Sequence, residues 1–377
     1  MQRFADGALL EEVAARGELD DRLVMRLADH ISAFHDQAEQ CRSQSGHDRI
    51  AAVISGNRTS LARFGAILPA ARASDLVERQ MKSAACNAEL LENRAWQGRV
   101  RHGHGDLHLA NIAIIDDEPV LFDCLEFDPS LARTDVLYDL AFLLMDLWAR
   151  GFRAQANLLL NRYLDMSPQD EAGIALIPMF LSIRATIRAH ALAAQAAGSP
   201  GSGLANTARH YLALADELLA PVPPRLVAIG GLSGTGKSTI AKLVAPCLGR
   251  APGARILRSD VLRKRLAGVQ PETVLPEATY TPAASTAVYG ELQRLASQTL
   301  QAGQAVIADA VFAKPEERDA IGRIAPCHNV SFEGIWLEAS RDLLTQRITA
   351  RTNDASDANA AVAEAQAHYD IGRLDWN

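Results

Sequence analysis

Two groups of residues in this chain have the types and the spacing to handle a nucleoside triphosphate. The first is Gly231-Leu232-Ser233-Gly234-Thr235-Gly236-Lys237-Ser238, after the apolar run 225–230 and before the helical run 239–244. Glycines let such a loop curl until several backbone N–H groups face one anion, and the helix start adds its partial positive charge. Gly231, Ser233, Gly234, Thr235, Gly236, Lys237, Ser238 and Thr239 therefore read as nucleotide-binding residues. Lys237 is placed for the β- and γ-phosphates and the Ser238 hydroxyl for Mg²⁺. Strand, glycine loop, Lys-Ser, helix is the phosphate-binding P-loop in its confirming context. The competing reading is an ordinary glycine turn before a helix.

Other carboxylates and arginines of this half suit the same chemistry. Asp309 ends the apolar strand 305–308, where a carboxylate supports the metal, or simply closes a turn. Asp260 follows the strand 255–258. Strand C-termini line the ligand crevice of an open parallel sheet, so Asp260 is placed to take a proton from an acceptor hydroxyl. It could equally cap the helix that follows. Arg347 and Arg351 are four apart and share a helix face, as a lid over a transferring phosphoryl group requires and as a solvated basic face would also show. No Asn-Lys-x-Asp guanine reader and no Leu-Ser-Gly-Gly-Gln transporter signature follows the P-loop.

The second group is Asp106-Leu-His-Leu-Ala-Asn111, joined by Asp123 after a hairpin signal. Asp106 could accept a hydroxyl proton, with Asn111 and Asp123 as hard oxygen ligands for Mg²⁺. A polar loop and a hairpin-end aspartate are the plainer alternative.

The elements that must position these groups follow from periodicity. Residues 8–40 read helical, with Leu19, Leu23, Leu27 and Ile31 on one face and Asp20 and Asp21 near the start. A long helix is expected over 74–96, then a hairpin of 112–115 and 120–122 split by 116–119. The helix 135–148, further helices to about 196, a Gly/Ser-rich loop at 198–203 and a helix over 204–219 come next. Pro221-Val-Pro-Pro224 reads as a stiff linker and domain boundary. Beyond it, strands 226–229, 255–258, 305–308 and 332–337 alternate with helices 285–301, 341–351 (capped by Ser340) and about 360–369. The expected fold is two domains: a mainly α domain with a small hairpin over 1–220, then an α/β parallel-sheet domain over 225–377.

Bulk properties narrow the classes of function. The chain has 377 residues, 48% of them hydrophobic and 22% charged, enough to bury real cores. A net charge of -7 offers no bulk attraction to nucleic acid or an anionic membrane. The five cysteines, at 41, 86, 124, 247 and 327, are scattered and without metal-ligand spacing, as reduced thiols would be. No N-terminal signal and no run of transmembrane length is evident, which reads as a soluble cytoplasmic protein.

Taken together, the P-loop, Arg258-Ser259-Asp260, Asp309-Ala-Val-Phe312 and Arg351-Thr-Asn-Asp-Ala-Ser-Asp357 resemble the P-loop predicted-kinase family of AAA-type ATP-binding domains. That family is related to polynucleotide-kinase, zeta-toxin and gluconate-type kinases. The resemblance covers about 222–377 and implies Asp260 as base and the arginines near 347–351 as lid; it does not give the acceptor. His104-Gly-Asp106 through Asn111, Asp123 and Tyr138-Asp139 resemble the aminoglycoside phosphotransferase and choline-kinase family over roughly 1–220. This implies a catalytic Asp106, metal ligands Asn111 and Asp123, and a buried support, Asp139, in a kinase-like C-lobe. The whole chain is similar to bacterial fusions described as bifunctional phosphotransferase/ATP-binding proteins. Two departures carry expectations. Met1-Gln-Arg-Phe4 already resembles the hinge, leaving no room for an N-lobe, so phosphotransfer at Asp106 is expected to be weak or absent. The chain also stops where the usual fifth strand of the P-loop sheet would begin.

The expected function is an ATP- and Mg²⁺-dependent phosphotransferase acting on a hydroxyl of a small sugar- or nucleotide-like molecule. The rivals are an ATP-dependent binding or regulatory module with a dead kinase-like lobe, and a nucleic-acid end kinase, which the acidic charge and the lack of an aromatic-basic stripe disfavour. Neither a membrane partner nor an oligomeric state is read from the sequence.

Overall fold

The structure is a computed structural model and describes residues 6–41, 45–125, 132–199, 201–349, 354–358, 366 and 368–377. The chain divides into two compact units, one of residues 1–163 and 173–221, the other of 164–172 and 222–377.

The first unit is mainly helical. Asp20 caps the helix Asp21–Gln37, its side chain accepting from the Leu23 N–H at 2.8 Å. The stretch expected as one helix over 74–96 is two, Ala70–Cys86 and Ala88–Trp96. The break falls at Asn87, whose side-chain amide donates to the Ser83 carbonyl at 2.8 Å, a local bond that competes with helix continuation. The helix Gly46–Ala62 has no counterpart in the sequence reading; its hydrophobic periodicity is diluted by Asn57 and Gly56.

The hairpin pairs β2 (Ile112–Ile115) with β3 (Glu118–Leu121). Asp116 and Asp117 both have positive φ, 51° and 63°, so the turn is the two-residue kind that matches strand twist, and Glu118-Pro119 belong to the strand. A second antiparallel pair, β1 (Val100–His102) with β4 (Arg133–Asp135), was not expected; three-residue strands leave no readable alternation. Asp135 starts the helix Val136–Ala149, its carboxylate accepting from Leu137 N–H and from the buried Arg94 at 2.7 and 2.8 Å. One helical stretch, Pro168–Gly198, is long and apolar enough to cross a membrane by length and composition, contrary to the sequence reading, and 78% of its apolar window is buried inside the protein.

The second unit is an α/β fold around a four-stranded parallel sheet ordered β6 (Arg255–Arg258), β7 (Val306–Asp309), β5 (Arg225–Gly230), β8 (Ser331–Trp336). Alternate strand residues feed two cores, as the pleat requires. Leu226, Ala228, Leu257, Val306 and Ala308 face one; Val227, Ile229, Ile256 and Ile307 face the other. The helix Pro282–Gln301 begins three residues earlier than read because Thr281 caps it, accepting from Ala284 N–H at 3.1 Å. The helix expected as a lid over 341–351 is Arg341–Thr349, with the Ser340 carbonyl accepting from Leu344 N–H. The expected last helix falls largely outside the described residues. Trp376 packs against Phe312 and Phe332, and Asn377 exchanges backbone hydrogen bonds with Gly334 and Trp336 beside β8.

Candidate active site

The P-loop springs from the C-terminal end of β5. Gly231, Gly234 and Gly236 have φ of 137°, 87° and 96°, a region L side chains rarely enter. Space demands glycine as well: a Cβ on Gly231 would lie 2.4 Å from the Leu337 carbonyl oxygen, and one on Gly234 3.0 Å from that of Leu344 in the lid helix. The helix Lys237–Val244 starts directly after Gly236, so its first N–H groups and its dipole face the loop's concave side. Lys237 Nζ donates to the carbonyls of Gly231 and Leu232 at 2.7 and 2.9 Å, and Thr235 Oγ1 donates to Leu232 O at 2.8 Å. Thr239, itself exposed, lies in the first turn of the helix.

Ser238 and Asp309 meet although 71 positions separate them: the Ser238 hydroxyl donates to Asp309 Oδ2 at 2.6 Å. The parallel register Ile229↔Asp309 brings the end of β7 level with the start of the loop. A hydroxyl and a carboxylate converging beside a glycine cradle are hard oxygen donors, so the residues present fit Mg²⁺ and a triphosphate.

Asp260 lies in the first turn of the helix Ser259–Leu266, at the end of β6. Its pKa is pushed up by burial and by the neighbouring Asp309 charge, against the opposing pull of Arg258, a hydrogen bond from Ser356, and Lys237. Arg258 ties these groups together, reaching Asp309 at 3.6 Å and Asp354 at 2.9 Å. Arg347, from the lid helix, donates weakly to the carbonyls of Gly234 and Thr235 at 3.4 and 3.3 Å. Leu344 and Ile348 of the same helix are buried against Gly234. Arg351 lies outside the described residues.

Several contributors were given no individual role in the sequence reading. Gln366 Oε1 accepts from the Ser233 N–H at 2.8 Å. Lys264, 1% exposed, pairs with Asp357, which also accepts from Leu275 N–H at 3.1 Å and from the Tyr280 hydroxyl. Residues 354–357 thus lie against Arg258, Asp260 and Lys264, a contact visible in sequence only as an acidic cluster.

In the first unit Asp106 and Asn111 are brought together: Asn111 Nδ2 donates to the Asp106 carbonyl and to its Oδ2, both at 3.0 Å. Burial works to raise the Asp106 pKa, but His108, Arg184 and Asn111 outweigh it and hold the carboxyl below its ordinary value. Two aspartates a heptad apart on the helix Val136–Ala149 hold the loop's backbone. Asp139 accepts from the N–H groups of His104 and Gly105, both at 2.8 Å, and Asp146 from that of Leu109 at 3.2 Å. Arg184 braces the other side, donating to the Gly105 and Tyr138 carbonyls. Asp146 and Arg184 were missed; an aspartate seven residues after Asp139 on an otherwise apolar face was the available signal. Asp123 is exposed, with φ 59°, and follows Phe122, whose N–H bonds to the Asn111 carbonyl at 3.1 Å.

Fold and site define a P-loop nucleotide-binding α/β unit joined to a mainly helical one, and residues 226–369 match the AAA domain family. Over its full length the chain is 30% identical to uncharacterised proteins of Mycobacterium tuberculosis and Mycobacterium bovis, covering 77% of each. It belongs to the same protein family as these mycobacterial proteins. Among solved structures it is similar to a sugar kinase from Janibacter sp. (22% identical, TM-score 0.31, covering 41% of this chain and 80% of that one). It is also similar to a gluconokinase from Sinorhizobium meliloti (22%, TM-score 0.27, 39% and 75%) and an ethanolamine kinase from Plasmodium vivax (14%, TM-score 0.36, 56% and 63%).

Proposed function

We propose that the second unit is an ATP-dependent kinase that transfers the γ-phosphoryl group to a hydroxyl of a small, sugar- or nucleotide-like molecule in the cytoplasm. The observation that carries this reading is the convergence of a carboxylate of raised pKa, Asp260, with the P-loop lysine Lys237 and the Ser238–Asp309 pair. Asp260 takes the proton of the acceptor hydroxyl as its oxygen attacks the γ-phosphorus and ADP departs. Lys237 and the loop N–H groups from Gly234 to Thr239 hold the phosphates, and Arg347 moves from the loop carbonyls to the charge that develops on the transferring group. Arg351 is assigned the same task. Ser238 and Asp309 would hold Mg²⁺, which would supply charge neutralisation for the transfer.

In the first unit Asp106 is assigned as the hydroxyl-facing carboxylate and Asn111 and Asp123 as metal-holding oxygens. Partners are a small-molecule acceptor, with neither membrane nor nucleic acid engaged.

The test is ADP release from Mg²⁺-ATP with and without a pool of sugars, nucleosides and short oligonucleotides. The pool is expected to raise turnover; Lys237→Ala and Asp260→Asn should abolish the gain, and Asp106→Asn should leave it intact. Slow hydrolysis that ignores the pool and survives Asp260→Asn would make ATP a switching ligand instead. A response to oligonucleotides alone would replace the small acceptor with a nucleic-acid end.

A further inference from the structure

Residues Asp354-Ala-Ser-Asp357 form a strap whose polar side chains are shared out, in order, over β6 and the helix after it. Asp354 pairs with Arg258 at 2.9 Å. Ser356 hydrogen-bonds the Asp260 carboxylate. Asp357 pairs with the buried Lys264. The strap is internally braced, since Asp354 Oδ1 accepts from the Ser356 N–H at 2.9 Å. Asp357 anchors its far end to the loop above by accepting from Leu275 N–H and the Tyr280 hydroxyl. Two charge pairs therefore flank one hydroxyl and set it on the carboxylate whose neighbours are Asp309, Arg258 and Lys237, the phosphate-facing end of the sheet.

A kinase base needs an acceptor hydroxyl within hydrogen-bond reach, next to the bound γ-phosphoryl group. Ser356 meets the first requirement without any added molecule. Being in the same chain, it is present at a high effective concentration. Resting on the kinase reading above, we propose a further activity: phosphorylation of Ser356 in cis, at this same site, when Mg²⁺-ATP binds. The Ser356 Oγ–P bond forms as the bond from the γ-phosphorus to the β–γ bridging oxygen breaks. Asp260 takes the hydroxyl proton and ADP leaves. The product, a phosphoserine beside Asp260, is repelled by that carboxylate, so the modification also drives the strap away from the base and opens it to a free acceptor.

The experiment incubates the full chain with Mg²⁺-ATP and no acceptor and maps phosphate by peptide mass spectrometry. Nucleotide binding and pool-dependent ADP release are measured on the same preparations. Phosphate is expected on Ser356, with a first-order rate that does not change over a tenfold range of protein concentration. It should be absent in Ser356→Ala and Asp260→Asn, with circular dichroism confirming that both variants are folded. A chain that binds ATP and responds to the pool yet carries no phosphate on Ser356 overturns this inference alone. A rate that rises with protein concentration, or phosphate only at another residue, overturns it too. Failure to bind ATP sinks the kinase reading and this inference with it.

Discussion

Asp260 is a carboxylate that burial and a like charge hold above its ordinary pKa, with Ser356 pulling in the opposite direction. As a base it works only when ionised, so pool-dependent turnover should rise with pH through a limb that lies above the usual carboxylate range. A pH–rate profile of kcat checks this. Asp139 shows the opposite case. Burial alone would raise its pKa, but the hydrogen bond and charge of His35, with Arg184 and His104, bring it down to about 2. A depressed carboxylate pKa contributes stability that is present above the unfolded-state value, about 3.9, and is lost as pH falls through the folded value, here amounting to about 2–3 kcal/mol. Asp139→Asn should cost about 3–5 kcal/mol at neutral pH, because it leaves His35, Arg184 and two loop N–H groups facing a poorer acceptor. Its urea stability should also change less than that of the wild type between pH 5 and pH 2.

At the scale of elements, the P-loop and the lid helix are built against each other. Gly234 combines φ of 87° with a Cβ position only 3.0 Å from the Leu344 carbonyl and 3.2 Å from the Ile348 side chain. Gly234→Ala should therefore strain the loop by about 1–3 kcal/mol and weaken ATP binding roughly tenfold or more. Titration of the variant with ATP, beside its thermal unfolding, separates loop damage from global unfolding. The strap belongs to the same scale. Asp354, Ser356 and Asp357 each meet a partner from 258–264, some ninety residues earlier in the chain, and Asp260 and Lys264, four apart, meet the strap from one face of the helix after β6.

At the scale of the molecule, the unit built around the parallel sheet also includes residues 164–172, which precede its own first strand by some fifty positions. Arg255, in β6 and 1% exposed, is held by Glu171 and Asp165, both at 2.7 Å, and Arg265 adds a second contact to Glu171 at 3.3 Å. Removing one of the two carboxylates weakens its charge-assisted hydrogen bonds to Arg255 and Arg265 while Asp165 stays in place, so Glu171→Gln should destabilise the sheet unit by about 1.5–3 kcal/mol. Calorimetry should show its unfolding at a lower temperature while the transition of the helical unit stays in place; a loss shared equally by both transitions would contradict this.

The sequence by itself determined whatever depends on neighbours along the chain. The P-loop with its flanking strand and helix, the Asp106–Asn111 loop, the hairpin signal and the strand–helix alternation of the second half were all legible. Each rests on glycine conformations, helical period or strand alternation within about twenty residues. Tertiary structure decided the rest. Register in the parallel sheet set Asp309 against Ser238; packing placed Gln366 on the Ser233 N–H; and folding brought 354–357 onto 258–264 and gave 164–172 to the sheet unit. These contacts join residues some seventy to more than a hundred positions apart. A single charged or polar residue carries no periodic signal that says which distant partner will neutralise it. Only the closing of the core, which fixes backbone positions to within a hydrogen-bond length, selects that partner.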